Sequence, residues 1–399
     1  MKTCKKYSAI LFLLCILFLT LCMLMYPEAA YQGAYNGIHT WATHLLPSLL
    51  PFFIAANLLI SLGFVQFLGV LLEPVMRPLF RLPGEAGLAV ALGFTSGFPM
   101  GAVLTASLYE QNLCTENEAA RLAAFTNNSS PLFLLIAVPV SMLHMPQIGI
   151  LLLSAHYAAN IIIGIILRFT AVKTNYTHSH SPSHILIHAI TQMRQYQKEH
   201  VHSIGSILGQ AIQKGLSGIF NIGGFVLFFS VLLSMLNASG LFQVIDNLFQ
   251  LLLGILHISP QLSGALASGL FEMTLGAQNA AECETDLLMQ LMVISFILGW
   301  SGLSIQAQVC SILSAQQISA KMYCLCRPLQ GILAALLIPV FITCCPWMLS
   351  LPTAQSIQTV HNTPVLLTLF SAVPALAIMV LALLLFISLI IHCLKRIIV

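Results

Sequence analysis

Long apolar runs, separated by short polar segments, recur along the whole chain and indicate its fold class. A run of about 20 apolar residues is long enough to cross the roughly 30 Å hydrocarbon layer of a membrane as a helix. The chain therefore predicts an all-α polytopic membrane protein. About eight transmembrane helices are predicted, at residues 7–26, 41–62, 122–143, 148–169, 218–236, 287–313, 323–345 and 366–392.

Two further stretches are amphipathic rather than uniformly apolar. Residues 63–80 carry Glu73 and Arg77 one helical turn apart, and residues 240–258 place Asp246 beside an asparagine on one face. Helices with one polar face lie along a membrane interface more readily than they cross it. We expect two interfacial helices here.

Each amphipathic stretch is followed by an apolar stretch that has glycines and small residues at its midpoint, at 86–109 and 262–281. Each is barely long enough to cross a membrane. This pattern predicts a re-entrant helical hairpin whose tip lies at mid-membrane, because irregular backbone is tolerated there only where protein or a cavity covers it. A single kinked span is the alternative.

Polar residues interrupt two of the long apolar runs, in "TNNSSP" (126–131) and "GWSGLSIQAQ" (299–308). Lipid offers no hydrogen bonds to the backbone that such a break frees, so a broken helix is expected to face protein, water or a ligand. We expect these two breaks to converge with the hairpin tips "TSGFPMG" (95–101) and "FEMTLGAQ" (271–278). Together they would form a polar site at the membrane midplane.

The same order of elements occurs twice, from residue 63 and again from residue 240. An odd number of crossings separates the two predicted hairpins, so the repeats would be inverted, as in many secondary transporters. The predicted organisation is a 1–40 anchor helix with an outer loop, a 41–172 first repeat, a 173–205 histidine-rich cytoplasmic loop, a 206–345 second repeat, and a 346–399 outer loop with a C-terminal helix.

The charged residues, only 7% of the chain, predict its orientation. With the N-terminus inside, all 15 lysines and arginines fall on or near the cytoplasmic side, as the positive-inside rule requires. Both termini are then cytoplasmic, and Arg327 lies at a cytoplasmic helix end, which leaves the midplane without a basic residue. A net charge of +3 gives no reason to expect nucleic acid as a partner.

Cysteine and histidine spacing argues against a metal site. Most of the 11 cysteines fall in or beside apolar helices and are interpreted as small buried hydrophobes. The histidines of residues 178–202 lack regular spacing, which favours a solvated linker over a metal-binding or pH-sensing cluster. Zincin, nucleophile-elbow and phosphate-loop motifs are absent, so the sequence predicts neither an enzyme nor a cofactor.

Glu272 is the only carboxylate predicted deep within a hairpin, where an ionisable group needs a partner or a function. It would accept a hydrogen bond from a substrate, bind a coupling Na⁺, or carry a coupling H⁺. The alternative is a structural bond to neighbouring backbone. The amides and hydroxyls of the breaks have a similar alternative, as polar contacts between helices.

Several motifs, in order between about residues 40 and 340, carry a family resemblance. They include "LLPSLLPFFIAANLLISLG", "GFTSGFPMGA", "AAFTNNSSPLF", "AHYAANI", "GLFEMTLGAQ" and "FILGWSGLSIQAQV". With them the chain resembles sporulation integral membrane proteins of the YlbJ type, whose halves carry nucleoside-recognition, or Gate, domains. It is more distantly similar to the concentrative nucleoside transporters.

This resemblance implies a protein of the mother cell that moves dipicolinic acid across the outer forespore membrane during sporulation. It also implies a substrate site at the four breaks. The residues carried over from the shared motifs are Ser96, Gly97, Pro99, Asn127, Asn128, Ser129, Ser130, Glu272, Thr274, Ser301, Ser304, Gln306 and Gln308.

Chemistry leaves three functions open. The two carboxylates of dipicolinate need positive potential, which half-helix N-termini would supply in a transporter working by alternating access. A neutral nucleoside would be satisfied by asparagine, glutamine and Glu272, and a non-transporting receptor or assembly factor is the third hypothesis. The expected partners are a small-molecule substrate and the lipid bilayer, and a homo-oligomer is compatible with the sequence.

Overall fold

The computed structural model describes residues 2–171, 185–200, 203–255 and 258–344, and within these ranges all regular elements are helical. The all-α fold class is confirmed. The α-helices are α1 (Lys2–Met25), α2 (Pro27–Thr40), α3 (Leu46–Ser61), α4 (Phe64–Phe80), α5 (Ala86–Ser96), α6 (Met100–Glu110), α7 (Glu116–Thr126), α8 (Gly149–Leu167), α9 (Ile185–His200), α10 (Ile204–Ala238), α11 (Leu241–Ile255), α12 (Ser263–Phe271), α13 (Met273–Glu282), α14 (Leu287–Trp300), α15 (Gly302–Ala315) and α16 (Lys321–Cys344).

Four stretches of the described chain are long and apolar enough to cross a membrane: Pro146–Thr170, Ile204–Ala238, Leu287–Ala315 and Lys321–Cys344. The number rises to six if two bent helix pairs each count as one span. One pair, at the α1–α2 junction, bends by 108°, and the other, at the α3–α4 junction, by 84°. A protein with several membrane-spanning helices is confirmed. The count of eight stays a prediction, and residues 366–392 lie outside the described ranges.

The predicted loop at residues 27–40 is instead helix α2, and its place on the outer side stays a prediction. Pro27 fits the first turn of a helix, where no backbone donor is lost. Gly33 and Gly37 let α2 lie directly against α10, since an added Cβ would come within 2.9 Å of α10 at each. Hydropathy missed this helix because its buried face is made of glycines rather than large apolar side chains.

The predicted histidine-rich loop is partly helical, and the helix after it begins earlier than expected. Residues Ile185–His200 form α9, which packs against α4, and the Gln197 side chain donates to the Leu62 carbonyl at 2.8 Å. Helix α10 begins at Ile204 rather than residue 218. The prediction missed its first turns because they are amphipathic rather than uniformly apolar. His178, His180, His184 and His202 lie outside the described residues.

A charged corner fixes α4 to the start of α7. Arg77 on α4 binds Glu73 at 2.5 Å and Glu118 at 3.2 Å. Glu118 also completes a capping box with Thr115 at the N-terminus of α7. Burial raises the pKa of the nearby Glu85 carboxyl to about 7. A hydrogen bond to its own backbone opposes this rise, and the negative charge of Glu73 adds to it.

Replacing Glu85 with glutamine tests this corner through the pH dependence of stability. A carboxyl whose pKa is higher in the folded than in the unfolded state destabilises the fold as pH rises from about 4.5 towards 7. Glu85→Gln removes that ionisation, so we expect its apparent melting temperature in detergent to exceed the wild type's at pH 8 by about 2 °C or more and to match it near pH 4.5. Glu116→Gln, at an exposed glutamate, is the control. An equal effect of Glu85→Gln at both pH values would contradict the assignment.

Two cysteines bring α15 and α16 together. The sulphurs of Cys310 and Cys324 lie 3.5 Å apart. A disulfide needs a separation of about 2.05 Å, which is a small side-chain movement from here.

We expect oxidation with copper–phenanthroline to link Cys310 to Cys324, detected as a disulfide-linked peptide pair by mass spectrometry. Cys310→Ser should abolish the link, and Cys326→Ser, which changes a cysteine on the same helix as Cys324, should preserve it. Linkage of Cys310 to another cysteine would contradict the packing of α15 on α16.

Candidate functional site

The first break interrupts the chain where the sequence predicts it. Helix α7 ends at Thr126, residues 127–130 are non-helical, and a π-helix spans Phe133–Met142. Pro131 disfavours helical backbone in the residue before it, and asparagine and serine side chains compete for backbone hydrogen bonds. We call residues 127–130 break 1.

The segment between α5 and α6 lies directly against break 1. The Asn127 side chain accepts from the Ala102 backbone at 2.8 Å and donates to the Ala123 carbonyl at 2.7 Å. An added Cβ at Gly93 or Gly101 would come within 2.4 Å of the Thr126 carbonyl oxygen, so only glycine allows this approach. We call residues 97–99 tip 1. Gly97, which has a φ of 86°, lies against Ser130 of break 1, since an added Cβ would come within 2.9 Å of the Ser130 Cβ.

The second break and the segment between α12 and α13 meet in the same way. Ser301 joins α14 to α15 with φ 67°, a left-handed conformation that ends one helix and begins the next. A Cβ at Gly302 would lie 2.9 Å from the Phe271 carbonyl, and Trp300 Nε1 donates to the Leu270 carbonyl at 3.1 Å. We call Ser301 break 2 and Glu272 tip 2.

Contacts across the molecule bring the two halves together. The Ser129 hydroxyl lies 3.8 Å from the Met273 sulphur, which joins break 1 to the residue beside tip 2. Helix α15, which follows break 2, also packs against α6, which follows tip 1. The four interruptions therefore surround one region of the interior.

Arg327 corrects the prediction that no basic residue reaches this region. Its guanidinium is fully buried and donates to the Asn127 carbonyl at 2.9 Å and the Ala124 carbonyl at 2.7 Å. These are the carbonyls that the end of α7 leaves unpaired, where a cation is favoured by the helix dipole. The positive-inside rule describes lysines and arginines in loops, and it therefore assigned Arg327 to the cytoplasmic end of its helix. Arg327 lies within α16 instead, and its side chain is buried in the protein.

The charge of Arg327 has an aromatic neighbour but no acidic one in the described part of the chain. The guanidinium carbon lies 4.8 Å from the centre of the Tyr323 ring, and no carboxylate forms an ion pair with it there. A buried cation is costly unless it is compensated. Backbone carbonyls and a π face compensate only partly, so this position favours an anion.

Helix α8 supplies polar residues that the sequence analysis did not assign to the site. His156 Nε2 accepts from the Ser129 backbone at 3.3 Å and lies 3.5 Å from the Gln330 amide nitrogen on α16. The Tyr157 hydroxyl donates to the Phe94 carbonyl, and also to that of Ser129 at 3.4 Å. The sequence does carry one signal for them: His156 and Asn160 lie four residues apart, on one face of a mostly apolar helix.

Buried polar atoms without a partner are concentrated around these elements. Folded proteins satisfy most buried polar groups, so such a concentration indicates a place for a ligand or water. Within the described ranges the atoms of this group that make no hydrogen bond are Ser96 Oγ, Asn128 Oδ1, His156 Nδ1, Asn160 Oδ1, Ser295 Oγ, Arg327 Nε and Gln330 Oε1.

Glu272 has a structural partner. Its carboxylate caps α13 by accepting from the Leu275 backbone at 2.7 Å, and the side chain is only half-buried. An ionised carboxylate suits a helix N-terminus, so this contact needs no proton. Its predicted role towards a substrate or a coupling ion stays a prediction, as does that of the half-buried Thr274.

The remaining predicted residues lie along the breaks. Ser130 Oγ accepts from the Phe133 backbone at 3.3 Å, and the Ser301 hydroxyl donates to the Trp300 carbonyl at 2.6 Å. The Gln306 amide donates to the same carbonyl at 3.0 Å. Pro99 ends tip 1, and the buried Ser304 and Gln308 lie further along α15.

Comparisons with known proteins identify the family. The family model for Gate, nucleoside recognition, matches residues 42–152, which include tip 1 and break 1. The sporulation integral membrane protein YlbJ of Bacillus subtilis is 39% identical over 341 residues, covering 84% of this chain and 83% of that protein. This chain belongs to the YlbJ family.

A second relative of this YlbJ-family chain is an uncharacterized protein of Alkalihalophilus pseudofirmus. It is 35% identical over 109 residues, or 26% of this chain and 23% of that protein. No solved structure matches the chain.

Asn127 should contribute strongly to the stability of this YlbJ-family fold. Asn127→Ala removes two buried hydrogen bonds, the one accepted from the Ala102 N–H and the one donated to the Ala123 carbonyl, while the Ala102 N–H keeps the Pro99 carbonyl at 3.0 Å. At about 1 kcal/mol for each lost bond, the substitution costs about 2 kcal/mol. We expect a correspondingly lower free energy of unfolding in detergent titrations. Asn247→Ala, at an exposed asparagine on α11, should change it by less than about 0.5 kcal/mol. Similar values for the two variants would contradict the role of Asn127 in joining break 1 to α6.

Proposed function

We propose that the protein is a secondary transporter for a small anionic aromatic metabolite, with dipicolinic acid as its substrate. The observation that supports this best is the buried Arg327 guanidinium, which lies against break 1 without an acidic partner among the described residues. An anion bound there would compensate its charge. The Arg327 Nε–H, which has no partner among the described residues, would donate to it.

The architecture proposed with this function is a pair of inverted repeats around a midplane site. Helices α5 and α6, and α12 and α13, would be re-entrant hairpins, and α4 and α11 would lie along the interfaces. Two features support the proposal: each short pair is interrupted at its centre, and each packs against a broken longer helix. Alternating access would then move one hairpin against a fixed frame.

The family supports a place for this activity in sporulation, since the B. subtilis relative is named for that process. In this proposal the protein lies in the outer forespore membrane with both termini in the mother cell. It acts without enzymatic chemistry or a cofactor, with the bilayer and its substrate as partners. Assembly as a homo-oligomer is compatible with the proposal.

A nucleoside carrier is the second candidate. The Gate match, by its description, concerns nucleoside recognition, and the amides of Asn128 and Gln330 suit a neutral polar ligand. Arg327 favours the anion over this alternative. A receptor or assembly factor is a weaker candidate, because such a protein has little use for two interrupted helices.

Transport by proteoliposomes tests the substrate class. We expect the wild type to take up labelled dipicolinate in preference to labelled uridine, and Arg327→Gln to lower dipicolinate uptake by at least tenfold, since one lost charge-assisted hydrogen bond is worth about 1.5–3 kcal/mol.

Arg121→Gln is the matched control for this variant. Arg121 is also buried and also donates to two backbone carbonyls, those of Phe80 and Arg81, each at 2.8 Å, but it lies away from the breaks. Uptake per folded protein should survive in this control. Uridine uptake without dipicolinate uptake would favour the nucleoside carrier, and unchanged dipicolinate uptake in Arg327→Gln would contradict the proposed site.

A further inference from the structure

His156 is a titratable side chain that binds the unwound backbone itself. Its Nε2 accepts the Ser129 N–H of break 1 at 3.3 Å, a contact that requires a neutral ring with its proton on Nδ1. The Nδ1 atom has no partner among the described residues, and the ring is buried. A transporter that only needed to fix break 1 would be served by a non-titrating acceptor.

A proton on Nε2 would break this contact and favour a different one. The protonated nitrogen would face the Ser129 N–H, two donors against each other. The Gln330 amide is 3.5 Å from the same nitrogen, and its oxygen is unpartnered within the described ranges. Rotating that amide by half a turn presents its oxygen to Nε2–H, so Nε2 accepts from the Ser129 N–H when His156 is neutral and donates to the Gln330 oxygen when it is protonated.

Arg327 links the protonation of His156 to the binding of an anionic substrate. It is the charged group that acts on His156, and the other titratable neighbours, Tyr157 and Tyr323, are phenols. Two positive charges in one buried site repel each other. A bound anion removes that repulsion, so proton and anion should bind cooperatively.

The other helices packed against α8 bring no further charge to His156. The π-helix Phe133–Met142 and α14 contain no titratable residue. Helices α4 and α7 contact α8 through Phe80 and Phe125, which pack against Gly164. Gly164 lies eight residues along α8 from His156, or roughly 12 Å away, and the charged residues of α4 and α7 precede these two phenylalanines in the chain. They are Glu73, Arg77, Glu116, Glu118 and Arg121, and Arg168 follows α8 at its C-terminal end.

We propose that His156 couples transport to protons: it takes up a proton when the anionic substrate binds beside Arg327, and it then exchanges the Ser129 N–H for the Gln330 oxygen. Break 1 loses one of its contacts in that exchange and becomes free to rearrange. The inference rests on the proposed function and adds to it the coupling ion, H⁺ rather than Na⁺, and the residue that carries it.

Substrate accumulation under a pH gradient, with the membrane voltage clamped to zero, tests this coupling. One proton moved per dipicolinate should give wild-type proteoliposomes about a tenfold accumulation ratio for each unit of pH difference, with the substrate on the alkaline side. His156→Gln keeps an acceptor for Ser129 but cannot titrate. We expect its accumulation ratio to fall to near one, while dipicolinate exchange at equal pH continues at a measurable but lower rate than in the wild type.

His144→Gln, the same substitution at an exposed histidine, is the matched control and should accumulate as the wild type does. A wild-type ratio near one with normal exchange would overturn proton coupling, and so would full accumulation by His156→Gln. Loss of exchange as well in both His156→Gln and His156→Asn would also overturn it, because the ring would then be needed for binding. Absence of dipicolinate exchange in the wild type would instead contradict the proposed function, and the inference with it.

Discussion

The structure depends on how the backbone freed at break 1 is satisfied inside an apolar protein. The Asn127 side chain joins this segment to α6, the Arg327 guanidinium takes its carbonyl together with that of Ala124, and His156 accepts the N–H of Ser129. Each partner comes from a different helix. The unwound segment therefore holds α6, α8 and α16 in one arrangement, and a change in any of its partners changes how these helices are held.

The same arrangement explains why a site forms at this position. Glycines at 93 and 101 allow α5 and α6 to approach the end of α7, and Gly302 allows α15 to approach tip 2. Close backbone packing leaves little room for large side chains, so the interior is lined by small polar groups and by helix ends. The charge of Arg327 would give this polar interior a preference for anions, and that preference supports the proposed transport activity.

Much of this could be predicted from the sequence, because broken periodicity is a local signal. The polar residues of 126–130 and the glycines around residue 301 interrupt apolar runs, and the helices do end there. Arg327 could not be placed, since a cation near the end of an apolar run looks like a loop residue until the carbonyls that bind it are known. His156 was missed because its partner, a backbone N–H, has no signature in the sequence. Helix α2 was missed because glycines make its contact with α10.

A crystal structure of the protein with dipicolinate bound would show whether Arg327 binds the anionic substrate. We predict density for the ligand among break 1, Arg327 and His156, with a carboxylate within hydrogen-bonding distance of the Arg327 guanidinium. Ligand density at another place, with Arg327 still bound only by the carbonyls of Ala124 and Asn127, would contradict this prediction.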